Sequence, residues 1–359
     1  MATKKEEKKE AKEKVSQPED TAIQIEPEEE MTVVEGMRKP KKASKIKTVD
    51  DLPGVGEKIA EKLKKSGYVD LMSVAASSPK QLGEHAGVGE LTSEKIIKKA
   101  RDVLDIGFET AADVLDRRGK IGRISTGSKN LDALLGGGFE TQSVTEFHGA
   151  FASGKTQLAF QLAVNVQRPK EEGGIGGTCI FLDSEGTFRP ERIVQIAESA
   201  GMDTKKVLKG IYVARCYNSD HQMVLADSLG ELIKEKNVKL VIIDSVTSNF
   251  RADYSGRGEL ATRQQRLNRH LHTLQKLTDV FNVAVYITNQ VMSRPDILYG
   301  DPTRPIGGHI LGHFSTHRIY VRKSKGNTRI ARMVDSPNLP ESETVFKINE
   351  SGILDPEEK

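Results

Sequence analysis

The segment Gly149-Ala150-Phe151-Ala152-Ser153-Gly154-Lys155-Thr156 spells G-x-x-x-x-G-K-[ST]. It stands between a strand-like run, Ser143 to Phe147, and a helical run, Lys155 to Gln167. That context is what the motif needs physically, because a strand must deliver the loop and a helix N-terminus must close it around phosphate. In a chain of ordinary composition a chance match is expected on the order of one time in a hundred. The backbone N–H groups of the loop would cradle a β-phosphate, Lys155 would neutralise β/γ charge, and the Thr156 hydroxyl would ligate Mg²⁺. A loop of this kind confines the surrounding fold to a mostly parallel α/β sheet with crossover helices.

The rest of the C-terminal two-thirds agrees. Apolar runs at Thr178 to Asp183, Lys239 to Asp244 and Val283 to Thr288 alternate with helical stretches such as Arg263 to Leu277, the pattern of strands joined by crossovers. Leu240-Val241-Ile242-Ile243-Asp244 ends in a carboxylate placed to hold the metal through water. The strand ending in Asp183 is followed by Ser184-Glu185-Gly186. Glu185 at that edge can align an attacking water, with Asp183 as its competitor. Thr288-Asn289-Gln290 closes a further strand and offers Gln290 as a γ-phosphate sensor.

Upstream the composition changes. Residues 1–47 alternate Lys and Glu runs without an aromatic residue and read as a disordered charged arm. Residues 48–104 read as a small all-helical domain with Leu52, Ile59, Leu63, Leu71, Val74, Leu82, Ile96 and Ile97 as candidate core. Within it Gly54-Val55-Gly56-Glu57-Lys58 and Gly87-Val88-Gly89 each precede a lysine-rich helix. Such turns serve either as tight helix junctions or as helix-hairpin-helix contacts to a DNA backbone, with Gly54, Gly56 and Lys58 as the contact residues. Residues 105–122 form a polar connector holding Phe108 and Ala111, and 123–359 the ATPase core. By composition alone Phe108 belongs to a local core.

Bulk properties set limits. At 359 residues the chain holds one α/β domain of roughly 200 to 250 residues and a smaller module. A net charge of +3 does not by itself demand nucleic acid. Local basic patches matter more: Tyr254 and Arg257 precede Arg263, and the Pro/Gly-rich stretch Val291 to Gly308 carries Arg294, Gly307 and Gly308. No run reaches a membrane span, no secretory h-region is present, and Cys179 and Cys216 sit in apolar segments. Buried thiols in a reducing cytoplasm are expected, without a membrane partner.

From about Val49 to Ile353 the chain resembles the archaeal RadA recombinases and their eukaryotic counterparts, within the RecA-like ATPases. The resemblance rests on the P-loop together with Gly186-Thr187-Phe188-Arg189-Pro190-Glu191-Arg192, Tyr254-Ser255-Gly256-Arg257-Gly258, Pro305-Ile306-Gly307-Gly308-His309 and Asp335-Ser336-Pro337-Asn338-Leu339-Pro340. It implies a DNA-dependent ATPase that uses ATP and Mg²⁺ and polymerises on single-stranded DNA. The filament, or ring, then pairs with double-stranded DNA and meets recombination mediators. The runner-up is a paralogue that binds ATP and DNA without exchanging strands.

By the same resemblance Glu185 is the catalytic carboxylate, Arg192 lies near adenine, and Gln290 and His313 sense the γ-phosphate. Asp335 to Pro340 caps ATP toward a neighbouring subunit. The two basic stretches are then DNA-gripping loops, and Phe108 with Ala111 becomes the polymerisation anchor. Two departures stand out: Ala150 and Ala152 replace the Glu and Gly usual inside the loop, and Gly312 and Phe314 flank His313.

Overall fold

The computed structural model describes residues 48–68, 70–104, 107–293 and 303–357. The arm at 1–47 and residues 294–302 of the second basic stretch, Arg294 among them, lie outside them. Four helices, α1 (Glu57–Lys65), α2 (Leu71–Ala75), α3 (Pro79–Ala86) and α4 (Glu90–Val103), make the small domain. Its core is Val49, Leu52, Leu63, Val74, Leu82, Ile96, Ile97 and neighbours, with Ile59 packed at the edge. Side chains stop and start these helices locally. Asp70 and Ser78 accept hydrogen bonds from backbone N–H groups at the starts of α2 and α3, which satisfies donors that a helix start leaves free.

The connector is not featureless. It contains α5 (Ala111–Arg118), started by a reciprocal Thr110–Asp113 capping box. Phe108 just ahead of it is fully exposed, so the expectation of a local core around Phe108 is wrong.

The remaining helices are α6 (Lys129–Leu134), α7 (Lys155–Asn165), α8 (Pro190–Ser199), α9 (Thr204–Lys209), α10 (Ser219–Glu235), α11 (Ser248–Asp253), α12 (Leu260–Phe281) and α13 (Gly308–Phe314). The strands are β1 (Arg123–Ile124), β2 (Phe139–Glu140), β3 (Ser143–Gly149), β4 (Thr178–Asp183), β5 (Ile211–Arg215), β6 (Val238–Asp244), β7 (Ala284–Ser293), β8 (Thr303–Pro305), β9 (His317–Lys323), β10 (Thr328–Asp335), β11 (Glu343–Asn349) and β12 (Gly352–Leu354). The main sheet runs β12-β11-β10-β9-β3-β7-β6-β4-β5, with β8 attached to β7. From β9 to β5 every pairing is parallel. The β9–β12 end is antiparallel.

Helices cover both faces, which explains the uninterrupted apolar strands. In β6, Leu240 and Ile242 join the core under α7 and α8, while Val241 and Ile243 join the one under α10 and α12. β7 runs on to Ser293, past the expected end at Thr288, because β8 pairs with Val291–Ser293. α12 outlasts its expected span and stops where Asn282 turns left-handed, φ +51°. Cys179 and Cys216 are free, buried thiols.

His270 on α12 is 1% exposed and accepts from the Gln222 amide at 3.2 Å. Burial holds its pKa down, at about 4. The unfolded chain therefore takes up a proton near pH 6.5 that the native chain refuses until about 4. Stability should fall as pH drops through that window, and His270→Phe should flatten the fall; thermal melts at a series of pH values would check both.

Candidate nucleotide-binding site

The loop between β3 and α7 opens onto a cavity of about 520 Å³ lined by Gly149 to Gln157 save Ala150, by Glu185, Asp244, Gln290 and by Arg329. Gly149 is forced by space: a Cβ there would lie 2.1 Å from the Val321 carbonyl oxygen. Gly154 is forced by conformation and space, with φ +109° and Ile348 Cδ1 2.5 Å from where a Cβ would sit. Ala152 has φ +57°, so the alanine stands where glycine would be relaxed, at a cost of about 1 kcal/mol. Phe151 is almost fully exposed and Ser153 buried. The loop's own carbonyls hold the ammonium, with Lys155 Nζ donating to Gly149 at 2.8 Å and to Ala150 at 3.0 Å. Burial lowers the Lys155 pKa; the charges of Asp244 and Glu185 oppose that shift.

Asp244, 2% exposed at the end of β6, accepts from Thr156 Oγ1 at 2.6 Å and from the Thr288 hydroxyl. Burial pushes its pKa up, against those two hydrogen bonds. The two edge carboxylates after β4 separate by role. Asp183 accepts from the backbone N–H groups of Glu185, Gly186, Thr187 and Phe188, and faces Arg215. It shapes the turn. Glu185 is left to the cavity, where Gln290 Nε2 donates to its Oε1 at 2.7 Å.

A polyphosphate with a divalent cation fits this setting. The Thr187 and Ser245 hydroxyls and Arg329 Nε are buried beside the cavity without a partner among the described residues, a cost that a polar ligand would remove. Among the described residues no cluster of three or more His, Cys, Asp or Glu could hold a metal unaided. A cation here would use the Thr156 hydroxyl, the Asp244 side by way of water, and phosphate oxygens.

Other expected site residues lie further off. Arg192 on α8 reaches the wall indirectly, donating to Gln157 Oε1 at 2.8 Å and to the carbonyls of Asn349 and Glu350 at 2.6 Å. His313 stacks on His309 with centroids 5.9 Å apart, and neither it, Asp335 nor Pro340 lines the cavity. Tyr254 follows α11; the Arg266 guanidinium lies over its ring and Arg263 reaches its carbonyl. Arg257 opens a short 3-10 turn. Gly307 and Gly308 adopt φ +100° and +66° at the start of α13. In the small domain Gly56 and Gly89 begin α1 and α4 without a side-chain cap, and Lys58 is exposed on α1. Gly54 has φ +89°. Ala111 starts α5 beside the exposed Phe108.

Residues 117–356 match the Rad51 family model, and residues 46–102 match a SAM-like helix-hairpin-helix tandem. The chain belongs to the Rad51 family. It is 54% identical over 312 residues to the DNA repair and recombination protein RadA of Aeropyrum pernix, an alignment covering 87% of this chain and 98% of that one.

In this Rad51-family chain, sequence reasoning missed a buried polar junction under the site. Glu146 on β3 is fully buried and takes hydrogen bonds from Arg318 Nε at 2.6 Å and Asn289 Nδ2 at 2.7 Å. Asn289 also donates to the Ile306 carbonyl at 2.7 Å and accepts from Thr247 Oγ1 at 2.9 Å. Tyr286, whose hydroxyl donates to the Lys155 carbonyl at 2.8 Å, was also missed. One signal was available: a Glu and a His within the short strand Ser143 to Gly149 that leads into the phosphate loop.

Ala152→Gly should relax the loop, raising the melting temperature slightly and leaving nucleotide affinity equal or tighter; scanning calorimetry and fluorescent-nucleotide titration would read this. Asp244→Asn removes a buried charge. Its melting temperature without nucleotide should match or exceed wild type while Mg²⁺-dependent nucleotide affinity drops at least about tenfold; a titration with and without Mg²⁺ would separate the two effects.

Proposed function

We propose that the chain is a recombinase of DNA repair that hydrolyses ATP in a DNA-dependent manner. It forms a nucleoprotein filament on single-stranded DNA, pairs it with homologous duplex and exchanges strands, in the cytoplasm at the nucleoid. The observation that carries this reading is Gln290. Its side chain touches Glu185 in the nucleotide cavity, while its backbone carbonyl accepts from Ile306 N at 3.0 Å, directly before Gly307 and Gly308. One residue thus ties the hydrolysis site to the return of the second basic loop.

Within that reading the loop N–H groups and Lys155 bind the phosphates of ATP, and Thr156 and Asp244 position Mg²⁺. Glu185, released from Gln290 when a γ-phosphate engages that amide, holds and orients water for in-line attack. The Mg²⁺ ion supplies charge neutralisation of the β- and γ-oxygens. Gln290 and Asn289 pass nucleotide occupancy to Ile306 and the Gly307–Gly308 turn, which with Arg294, Tyr254, Arg257 and Arg263 grips single-stranded DNA. The uncapped starts of α1 and α4 offer N–H groups to duplex phosphates.

In this reading Arg192 lies near the adenine, His313 senses the γ-phosphate, and Asp335 to Pro340 caps the ATP of a neighbouring subunit, in keeping with the position of Asp335 and Pro340 away from the cavity of a single chain. Self-association is supported by two complementary features. Phe108 is bare, and β5 is an edge of the sheet with no outer neighbour among the described residues, with Val213, and Tyr217 just beyond it, exposed, a surface suited to adding a strand with an apolar anchor.

Wild-type chain should form D-loops from single-stranded DNA and homologous supercoiled duplex only with ATP; filaments without any D-loop product would overturn the recombinase reading. Phe108→Glu should give a folded, ATP-binding monomer with no filaments in negative-stain images, since a charge in an apolar pocket is costly.

A further inference from the structure

Arg329 lies on β10 and was singled out by no motif. Its side chain is partly buried in the wall of the nucleotide cavity, beside the start of α7. A Cβ placed on Gly154, the residue that opens α7, would be 3.8 Å from Arg329 Nε. The guanidinium donates to the Thr328 carbonyl at 2.8 Å, and its Nε is buried with no partner among the described residues. The cavity's carboxylates are occupied elsewhere, Glu185 by Gln290 and Asp244 by two threonines.

A cation in this position is unfavourable by itself. The N-terminus of α7 carries the positive end of the helix dipole, and Lys155 already adds a full positive charge there. Burying a second positive group without a carboxylate is tolerated where an anion completes the cluster.

We infer that Arg329 clamps the α/β end of the nucleotide polyphosphate, opposite the γ-end read by Glu185 and Gln290. The inference rests on the nucleotide-site reading above and extends it. Gly154, next to which Arg329 lies, is on the helix side of the loop, while the Glu185–Gln290 pair stands across the cavity at the strand edges. ATP and ADP share the group that Arg329 would grip.

The test uses the full-length chain, fluorescent ATP and ADP, and the Arg329→Gln and Arg329→Lys variants. Loss of a charge-assisted contact of this kind should weaken both nucleotides about ten- to hundredfold and equally in Arg329→Gln, with Arg329→Lys in between. Affinities within twofold of wild type, or a loss confined to ATP, would overturn the clamp. Should Arg329→Gln fail to fold, dicarbonyl modification of the wild-type chain decides. ADP and inorganic pyrophosphate should protect the Arg329 peptide in mass spectra while adenosine does not; absence of protection by either refutes the inference. Lys155→Ala serves as the separate control, since undiminished binding there would remove the nucleotide-site reading itself.

Discussion

Asp244 is a carboxylate 2% exposed at the end of a central strand, and the site is arranged around the cost of keeping it there. Burial favours its neutral form, so two hydroxyls and a nearby ammonium are needed to hold charge in place. The site therefore joins three strands: β6 carries Asp244, Thr156 and Lys155 open the helix after β3, and Thr288 sits on β7. A parallel sheet is the one arrangement that delivers all three carboxyl ends to a single edge. Losing any one of them would leave Asp244 unpaired on that side.

From that edge, polarity runs back into the sheet. β3 and β7 are in parallel register, with His148 opposite Asn289 and Gly149 opposite Gln290. Neighbouring residues of β7 therefore face two tasks. Gln290 points to the cavity and Glu185, whereas Asn289 turns to the buried Glu146–Arg318 pair and the Ile306 carbonyl. Alternation along a strand makes this division unavoidable. It also makes the junction two-sided, because a shift of β7 at the cavity must disturb hydrogen bonds at Ile306.

Much of this was legible residue by residue. The P-loop was identified from its glycine and lysine spacing, Asp244, Glu185 and Gln290 from their places at or just past the ends of apolar strand runs, and the structure gathers them into one cavity. Phe108 was misread from composition because a lone aromatic in a polar connector has no local signature of docking; its exposure becomes visible only in three dimensions. Ala152 could be flagged as unusual, but only the φ of +57° says that glycine's freedom would have been used there. Asp183 stood as a competitor to Glu185, and the structure shows four backbone N–H groups consuming it.

Arg329, Glu146, Asn289 and Arg318 mark the limit. Glu146, Asn289 and Arg318 meet from three strands, and Arg329 reaches Gly154 from a fourth; a charged residue within a strand looks like a solvated one until its neighbours are known. The sequence by itself determined the α/β class, the phosphate loop and the carboxylates at strand ends, because strand-to-helix transitions and turn chemistry are local. Only the tertiary structure decided which carboxylate faces the cavity, which cation borders the helix start, and how β7 links that cavity to Ile306. Those outcomes depend on strand order, and strand order is set by packing of both sheet faces between residues distant in sequence.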